Sequence, residues 1–460
     1  MKKLVSFFTV AAFLFMAAAC NDPLGPDTPD NPDKPDTPET PDTPDKPDNG
    51  PITIKIQLTE GGAAFVRAGI PVNLSGGTGY SADLTTSADG TVSATVPVGV
   101  YTATAFLKAS VEGILYNYNG SQTITVVRGG DTQFSLPMTM SKTSQLIIKE
   151  LYNGGCMDNS GTKNYINDKY IIIYNNSDTE VDASKMCIAM GQISNTKAQN
   201  KYATESGGLE YADQGWMPAS YSIWWFQNGT EVKIAPYSQI VVAITGAIDH
   251  TVTYANSVDL SNADYCMYDI ESGFNGKAQY PAPSASIPAS HYMKTYVFGM
   301  GTSWPFPMLT AAPFLIIPDR DIEAFVKDPN NFDNRATNNS GNYAKVPVDW
   351  ILDALDIWSA ADETKFFGRF PASINTGYEV LVNKQGYTLY RNVDREATMA
   401  IPGNMEKLVF GYVGAVSEED TDPANIDAEA SIAKGATIVY MDTNNSATDF
   451  HVRRKASIKK

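Results

Sequence analysis

The sequence predicts an all-β protein: two tandem β-sandwich units, the second large, with long loop insertions and a few short helices. Three observations carry this. Short runs that alternate apolar and polar side chains recur from Ile52 onward, the period of half-buried strands. Gly-Gly, Asp-Gly and Gly-Gly-Asp turns separate them. Only one stretch, 348–358, carries a clear helical period.

The chain opens on a leader. Lys2 and Lys3 form a positive n-region, Leu4 to Met16 an apolar stretch, and Ala17-Ala18-Ala19 the small residues that precede cleavage before Cys20. The apolar run falls short of the roughly 20 residues that a spanning helix needs. Residues 1–20 resemble a bacterial lipoprotein signal, in which Cys20 becomes the acylated N-terminus, although Ala17 stands where such signals usually carry Leu. Residues 21–50 iterate Pro-Asp-Thr, Pro-Asp-Asn and Pro-Asp-Lys. Lacking apolar surface and repelling itself, this segment is expected to be a disordered, extended tether, reaching on the order of 90 Å at about 3.1 Å per residue.

A chain of 460 residues exceeds one ordinary domain, and 43% hydrophobic with 11% aromatic residues suits sizeable cores. The formal net charge of -17 argues against nucleic acid and against electrostatic adhesion to anionic lipid. Membrane attachment would therefore rest on acyl chains at Cys20, each buried methylene contributing about 0.8 kcal/mol. With Cys20 acylated, Cys156, Cys187 and Cys266 remain, an odd number with no Cys-x-x-Cys spacing, which makes neither a complete disulfide framework nor a recognisable zinc cluster. They read as buried small apolar side chains, with one disulfide pair left open.

The first folded unit, 51–142, begins with Ile52 to Leu58. Further strands are expected at Ile70 to Leu74, Thr91 to Val96, Val100 to Leu107, Gln122 to Val127 and Thr132 to Met138. Asp89-Gly90 supplies a tight turn, while Pro97 and Gly99 redirect the chain. The stretches 68–74, 86–92 and 96–102 resemble the carboxypeptidase regulatory-like, prealbumin-type modules of bacterial surface proteins, which implies structural support or docking.

The second unit, 143–460, opens with a strand at Gln145 to Tyr152, then Lys169 to Asp178 and, after Pro236, a third ending at Ala243. This succession resembles a lamin-tail-type immunoglobulin-like sandwich. With 259–264 and 442–450 it is similar to an uncharacterised Bacteroidetes lipoprotein family of unknown function built on that core. Helices are expected at Val348 to Trp358, where apolar residues at 351, 352, 355 and 358 share a face, and more weakly at Ile322 to Lys327. Ala436 to Met441 reads as a late strand of the main sandwich.

Candidate sites are few. His250, His291 and His451 stand apart, and no nucleophile, zinc or phosphate-loop pattern accompanies them. Asp249-His250 reads as a loop pair, the carboxylate holding the ring. Asp319 with Asp321, and Asp353 with Asp356, have no separation that the sequence can test against glycoside hydrolysis. Asp442, Asn444, Ser446 and Asp449 place oxygens at alternate positions, a weak calcium candidate that a hydrogen-bonded turn explains better. No other cofactor is expected. The aromatic cluster Trp216, Tyr221, Trp224 and Trp225, joined by Trp304, is the best binding-site candidate. Neighbours on a strand face opposite ways, so Trp224 and Trp225 cannot both fill one core: either loop insertions cover one, or it meets a sugar or a protein.

The family resemblance implies a non-enzymatic outer-membrane lipoprotein at the cell surface, serving as ligand-capture or accessory subunit of a TonB-dependent transporter. The alternative is an adhesin or glycan-binding surface protein; a hydrolase fits poorly, since no catalytic motif accompanies the modules. Expected partners are thus the membrane, through Cys20, a TonB-dependent outer-membrane transporter, and a glycan or other nutrient ligand.

Overall fold

Alternation builds the first sandwich. Along β1 (Ile52–Glu60), Ile54, Ile56 and Leu58 are buried while Thr53 and Lys55 face out. There follow β2 (Pro71–Gly76), β3 (Tyr80–Thr85), β4 (Thr91–Val96), β5 (Gly99–Val111), β6 (Ile114–Val126) and β7 (Gln133–Lys142). They hydrogen-bond in the order β4, β1, β7, β6, β5, β2, β3. The path folds back on itself, so Ile54, Ile56 and Leu58 meet Val72, Leu74, Ala103 and Ile124 in one core. One strand makes the fold-back: Gln133 to Pro137 of β7 run parallel to β1, and Met138 to Lys142 run antiparallel to β6. Pro137, which has no N–H to donate, sits at the changeover. The edge strand β3 was not expected; its inward residues Tyr80, Ala82 and Leu84 are only half buried, which leaves a faint apolar signal.

The larger unit contains β8 (Leu146–Tyr152), β9 (Tyr170–Asn175), β10 (Cys187–Gly191), β11 (Trp216–Trp225), β12 (Gln239–Ala243), β13 (Lys294–Val297), β14 (Pro313–Ile316), β15 (Tyr343–Pro347), β16 (Ile351–Ala354), β17 (Thr388–Arg391) and β18 (Phe450–Arg453). One sheet runs β12, β9, β8, β17, β18, with Tyr265–Cys266 outside β12. The facing sheet runs β15, β11, β10, β14, β16, with Phe332–Asp333 outside β15. Leu146, Ile148, Ile171, Ile173 and Val242 from the first sheet pack on Ile188, Met190, Trp224 and Leu315 from the second. Loops and short helices cover the outer faces too, through Tyr211, Phe325 and Trp350 on one side and Val258, Leu260, Ile426 and Tyr440 on the other. Sheets buried on both faces explain why Ile171-Ile172-Ile173 is continuously apolar.

β11 takes two partners along one edge. Trp216 to Ser220 pair with β15 and Ser222 to Trp225 with β13. Tyr221, between them, adopts the left-handed region at φ 63°.

The computed structural model describes residues 50–76, 79–111, 114–191, 202–204, 208–274, 281–298, 305–333, 342–359, 368–418 and 420–459. The leader with Cys20, the tether up to residue 49, and Trp304 lie outside the described residues. Within 50–460 the chain forms one compact unit. Asn117 and Asn119 show how the sandwiches join: on β6 they face away from Tyr118 in the first core, yet both are buried, and Asn117 donates to the Asp442 carbonyl at 3.0 Å.

Two expectations are corrected. Val348 to Trp358 is not a helix: a 3-10 turn (Val348–Trp350) leads into β16, whose pairing with β14 places Ala354 opposite Phe314 and Asp353 opposite Leu315. Strand pairing and burial on both faces override a local helical period. Ala436 to Met441 makes only an isolated bridge, Tyr440 with Val393, and lies over the outer face of the first sheet. The late-returning strand is β18 instead. The helix α1 (Ile322–Lys327) forms as expected, capped by Asp321, whose carboxylate accepts from the Ala324 N–H at 2.6 Å.

Candidate functional site

A groove of about 590 Å³ opens where β13 forms part of the sheet edge. Trp225 and Tyr296 contribute to its floor, Glu323 and Lys327 of α1 to one wall, and Asp269, Glu271 and Ser272 to the other. Register explains the floor: Lys294 lies opposite Trp225 and Tyr296 opposite Ile223, on the face of β11 that looks toward α1. A second hollow of about 340 Å³ continues past Gln227, Asp269, Glu271 and Lys294 toward Tyr268, Ile270 and Ile287.

The charges in the groove are paired. Lys294 donates to Glu271 at 2.6 Å and lies 3.6 Å from the buried carboxylate of Asp269; Lys327 pairs with Glu323 one helical turn away. The Lys294 bond holds the Glu271 carboxyl below its ordinary range, and Glu271 in turn holds the Lys294 ammonium above its own. Asp269 also accepts the Thr295 N–H at 3.0 Å, capping the outward edge of β13. Tyr296 is 38% exposed, the most open aromatic ring of the groove.

The aromatic cluster proves largely internal. Trp224 is 1% exposed, inside the main core and edge-to-face with Phe274 at 4.9 Å. Trp225 points to the opposite face, under α1, and only its margin reaches the groove. Trp216 packs against Tyr202 and Tyr211. Tyr221 is half buried against the main core. Trp224 and Trp225 thus face opposite sides of the strand, and each is covered.

The oxygen-rich C-terminal spacing surrounds an arginine. Asp442 and Asp449 lie 3.9 and 3.6 Å from the buried Arg391, which also pairs with Asp353. Asp449 accepts from the Thr443 N–H and hydroxyl, Asn444 takes φ 54°, and Ser446 donates to Asn375 at 2.8 Å. These are the bonds of a turn, with a guanidinium supplying the positive charge. Among the described residues no three His, Cys, Asp or Glu side chains gather as metal ligands would.

The remaining candidates are also held internally. Asp356 pairs with buried Arg369, Asp319 pairs with Arg320, and Asp321 caps α1. His250 is gripped by the Tyr165 hydroxyl at 2.6 Å and the Gly246 carbonyl at 3.1 Å. Asp249, expected to hold that ring, instead accepts from Thr251. Cys156, Cys187 and Cys266 are free buried thiols, and burial pushes those of Cys156 and Cys266 up to about 12. Outside the groove, Lys169 is fully buried, donates to the Phe306 carbonyl at 2.8 Å and is lowered by burial to about 7.

The comparison with known families bears on the groove directly. Residues 235–401 match the family described as protein of unknown function (DUF4876). The DUF4876 segment contains both groove walls and β13; only Trp225, Gln227 and Asn228 of the lining precede it. An uncharacterised Bacteroidetes family, as the resemblance implied, is consistent with this match. A crystal structure of a DUF4876 family protein from Bacteroides thetaiotaomicron VPI-5482 is 21% identical, covering 87% of this chain and 95% of that one, with TM-score 0.49. A DUF3823 family protein from Parabacteroides merdae ATCC 43184 is 12% identical over 40% of this chain and 96% of its own, TM-score 0.16. A streptococcal ancillary pilin is 12% identical over 41% of this chain and 59% of its own, TM-score 0.15. No curated protein matches the chain.

Sequence reading missed the groove because its residues come from four separated segments, each unremarkable alone. Lys294-Thr295-Tyr296-Val297 shows a charge and an aromatic ring two residues apart on a strand; that was the only local signal.

Proposed function

We propose that the protein is a non-enzymatic lipoprotein, anchored through Cys20 in the outer membrane and facing the cell exterior, that captures a ligand for a TonB-dependent transporter. The observation that carries this is the groove. It is open, offers paired hydrogen-bonding groups and an aromatic face, and its lining includes no histidine or cysteine and neither Asp353 nor Asp356. The lipoprotein-like leader and the Pro-Asp tether support display near a membrane partner, since a tether raises the effective concentration of what it carries. In this reading the first sandwich is a regulatory-like support module and the larger one a lamin-tail-like core.

The test is affinity purification of the native protein from outer membranes, beside a Cys20→Ala form. Recovery of a β-barrel transporter with the wild type, and incorporation of labelled palmitate that Cys20→Ala abolishes, are expected. Recovery of no outer-membrane channel would sink the capture reading.

A further inference from the structure

Ligand chemistry can be read from how the charges in the groove are arranged. Both ammonium groups, Lys294 and Lys327, already hold a carboxylate. An anionic ligand would have to displace Glu271 or Glu323 and then lie near Asp269. A cationic ligand that drew Glu271 away would compete with Lys294, which stands 3.6 Å from the buried Asp269. Ligand hydroxyls do neither: each both donates and accepts, so a pair of them bridges an ammonium and its carboxylate with no change in net charge. The exposed ring of Tyr296 lines the same groove as both ion pairs and offers a flat apolar surface. An extended peptide adding to β13 is disfavoured, because Asp269 already takes the outward N–H of Thr295.

We propose that this groove binds a neutral oligosaccharide, with one sugar ring stacked on Tyr296 and its hydroxyls bridging the Glu271–Lys294 and Glu323–Lys327 pairs. The inference rests on the capture reading above and gives its ligand a chemical class. The second hollow, where Tyr268, Ile270 and Ile287 add apolar lining, receives the less polar face of a further sugar unit.

The purified full chain is to be screened against neutral, uronate-bearing and amino-sugar oligosaccharides, and the best binder titrated calorimetrically against Tyr296→Ala, Glu323→Gln and Lys327→Met. All three side chains are substantially exposed, so near-UV circular dichroism should match the wild type. A neutral glycan is expected to bind with little salt dependence, to lose about tenfold in Tyr296→Ala, and to lose about threefold or more in each of the others. Binding confined to uronates or amino sugars, or equal affinity in Tyr296→Ala, would overturn the proposal. If no glycan binds while an outer-membrane channel still copurifies, the sugar assignment falls and the capture reading stands. If neither is seen, both fall.

Discussion

His451 shows how a single side chain can carry pH dependence without any part in binding. Its Nδ1–H donates to the Asn392 carbonyl oxygen at 2.7 Å, and its Nε2 accepts from the Tyr412 hydroxyl at 2.8 Å. The orientation of Asn392 follows from its amide donating to the Thr448 carbonyl, so the ring is held as one neutral tautomer. Burial, and then the nearby Arg453, lower its pKa from the ordinary 6.5 to about 3. Because the folded pKa lies below the unfolded one, the stabilisation is present above pH 6.5 and is lost as pH falls toward 3. Between pH 7 and pH 5 the wild type should lose about 2 kcal/mol relative to His451→Gln. Urea unfolding of both proteins at the two pH values checks this; parallel changes would refute it.

At the scale of elements, the Asp89-Gly90 turn is where sequence and structure agree most closely. Gly90 has φ 75°, and a Cβ there would lie 2.0 Å from the Phe65 carbonyl oxygen. Gly90→Ala is therefore expected to cost about 2 kcal/mol or more, measured as a shift in denaturation midpoint at unchanged slope. A smaller loss would mean that the turn yields. Legibility along the chain followed burial geometry. Ile52 to Leu58 and Thr91 to Val96 were readable because one face is solvated, and period two then survives in the sequence. Val348 to Trp358 misled because both faces of β16 are buried, so apolar residues fall at every spacing, helical ones included. The helix at Ile322 forms where it was expected, and its start is fixed locally by the Asp321 cap, which the structure supplies. The groove was not readable, because β13, α1 and the 269–272 loop meet only through sheet pairing and packing across the fold.

Across the whole molecule, the two sandwiches meet at a polar seam. Asn117 and Asn119 occupy a strand face that would be wet in an isolated sandwich, and here they are 0% and 1% exposed. Replacing Asn117 by Leu removes its hydrogen bond to the Asp442 carbonyl and should cost about 1 kcal/mol or more. Differential scanning calorimetry should then resolve a separate, earlier transition for the first sandwich. A single transition shifted as a whole would show instead that other contacts couple the two units.

The parallel pairing of β1 with β7 has a mechanical meaning. Any tension transmitted through residues 21–50 enters at the start of β1, while the load on the rest of the protein leaves from the end of β7, which runs directly into β8. In parallel strands those two points lie at opposite ends of the pair. The hydrogen bonds between Lys55 to Thr59 and Gln133 to Pro137 are therefore loaded together in shear, and cannot be peeled one after another. A protein hung from its N-terminus in flowing fluid would thus resist being pulled open at the first strand the force reaches.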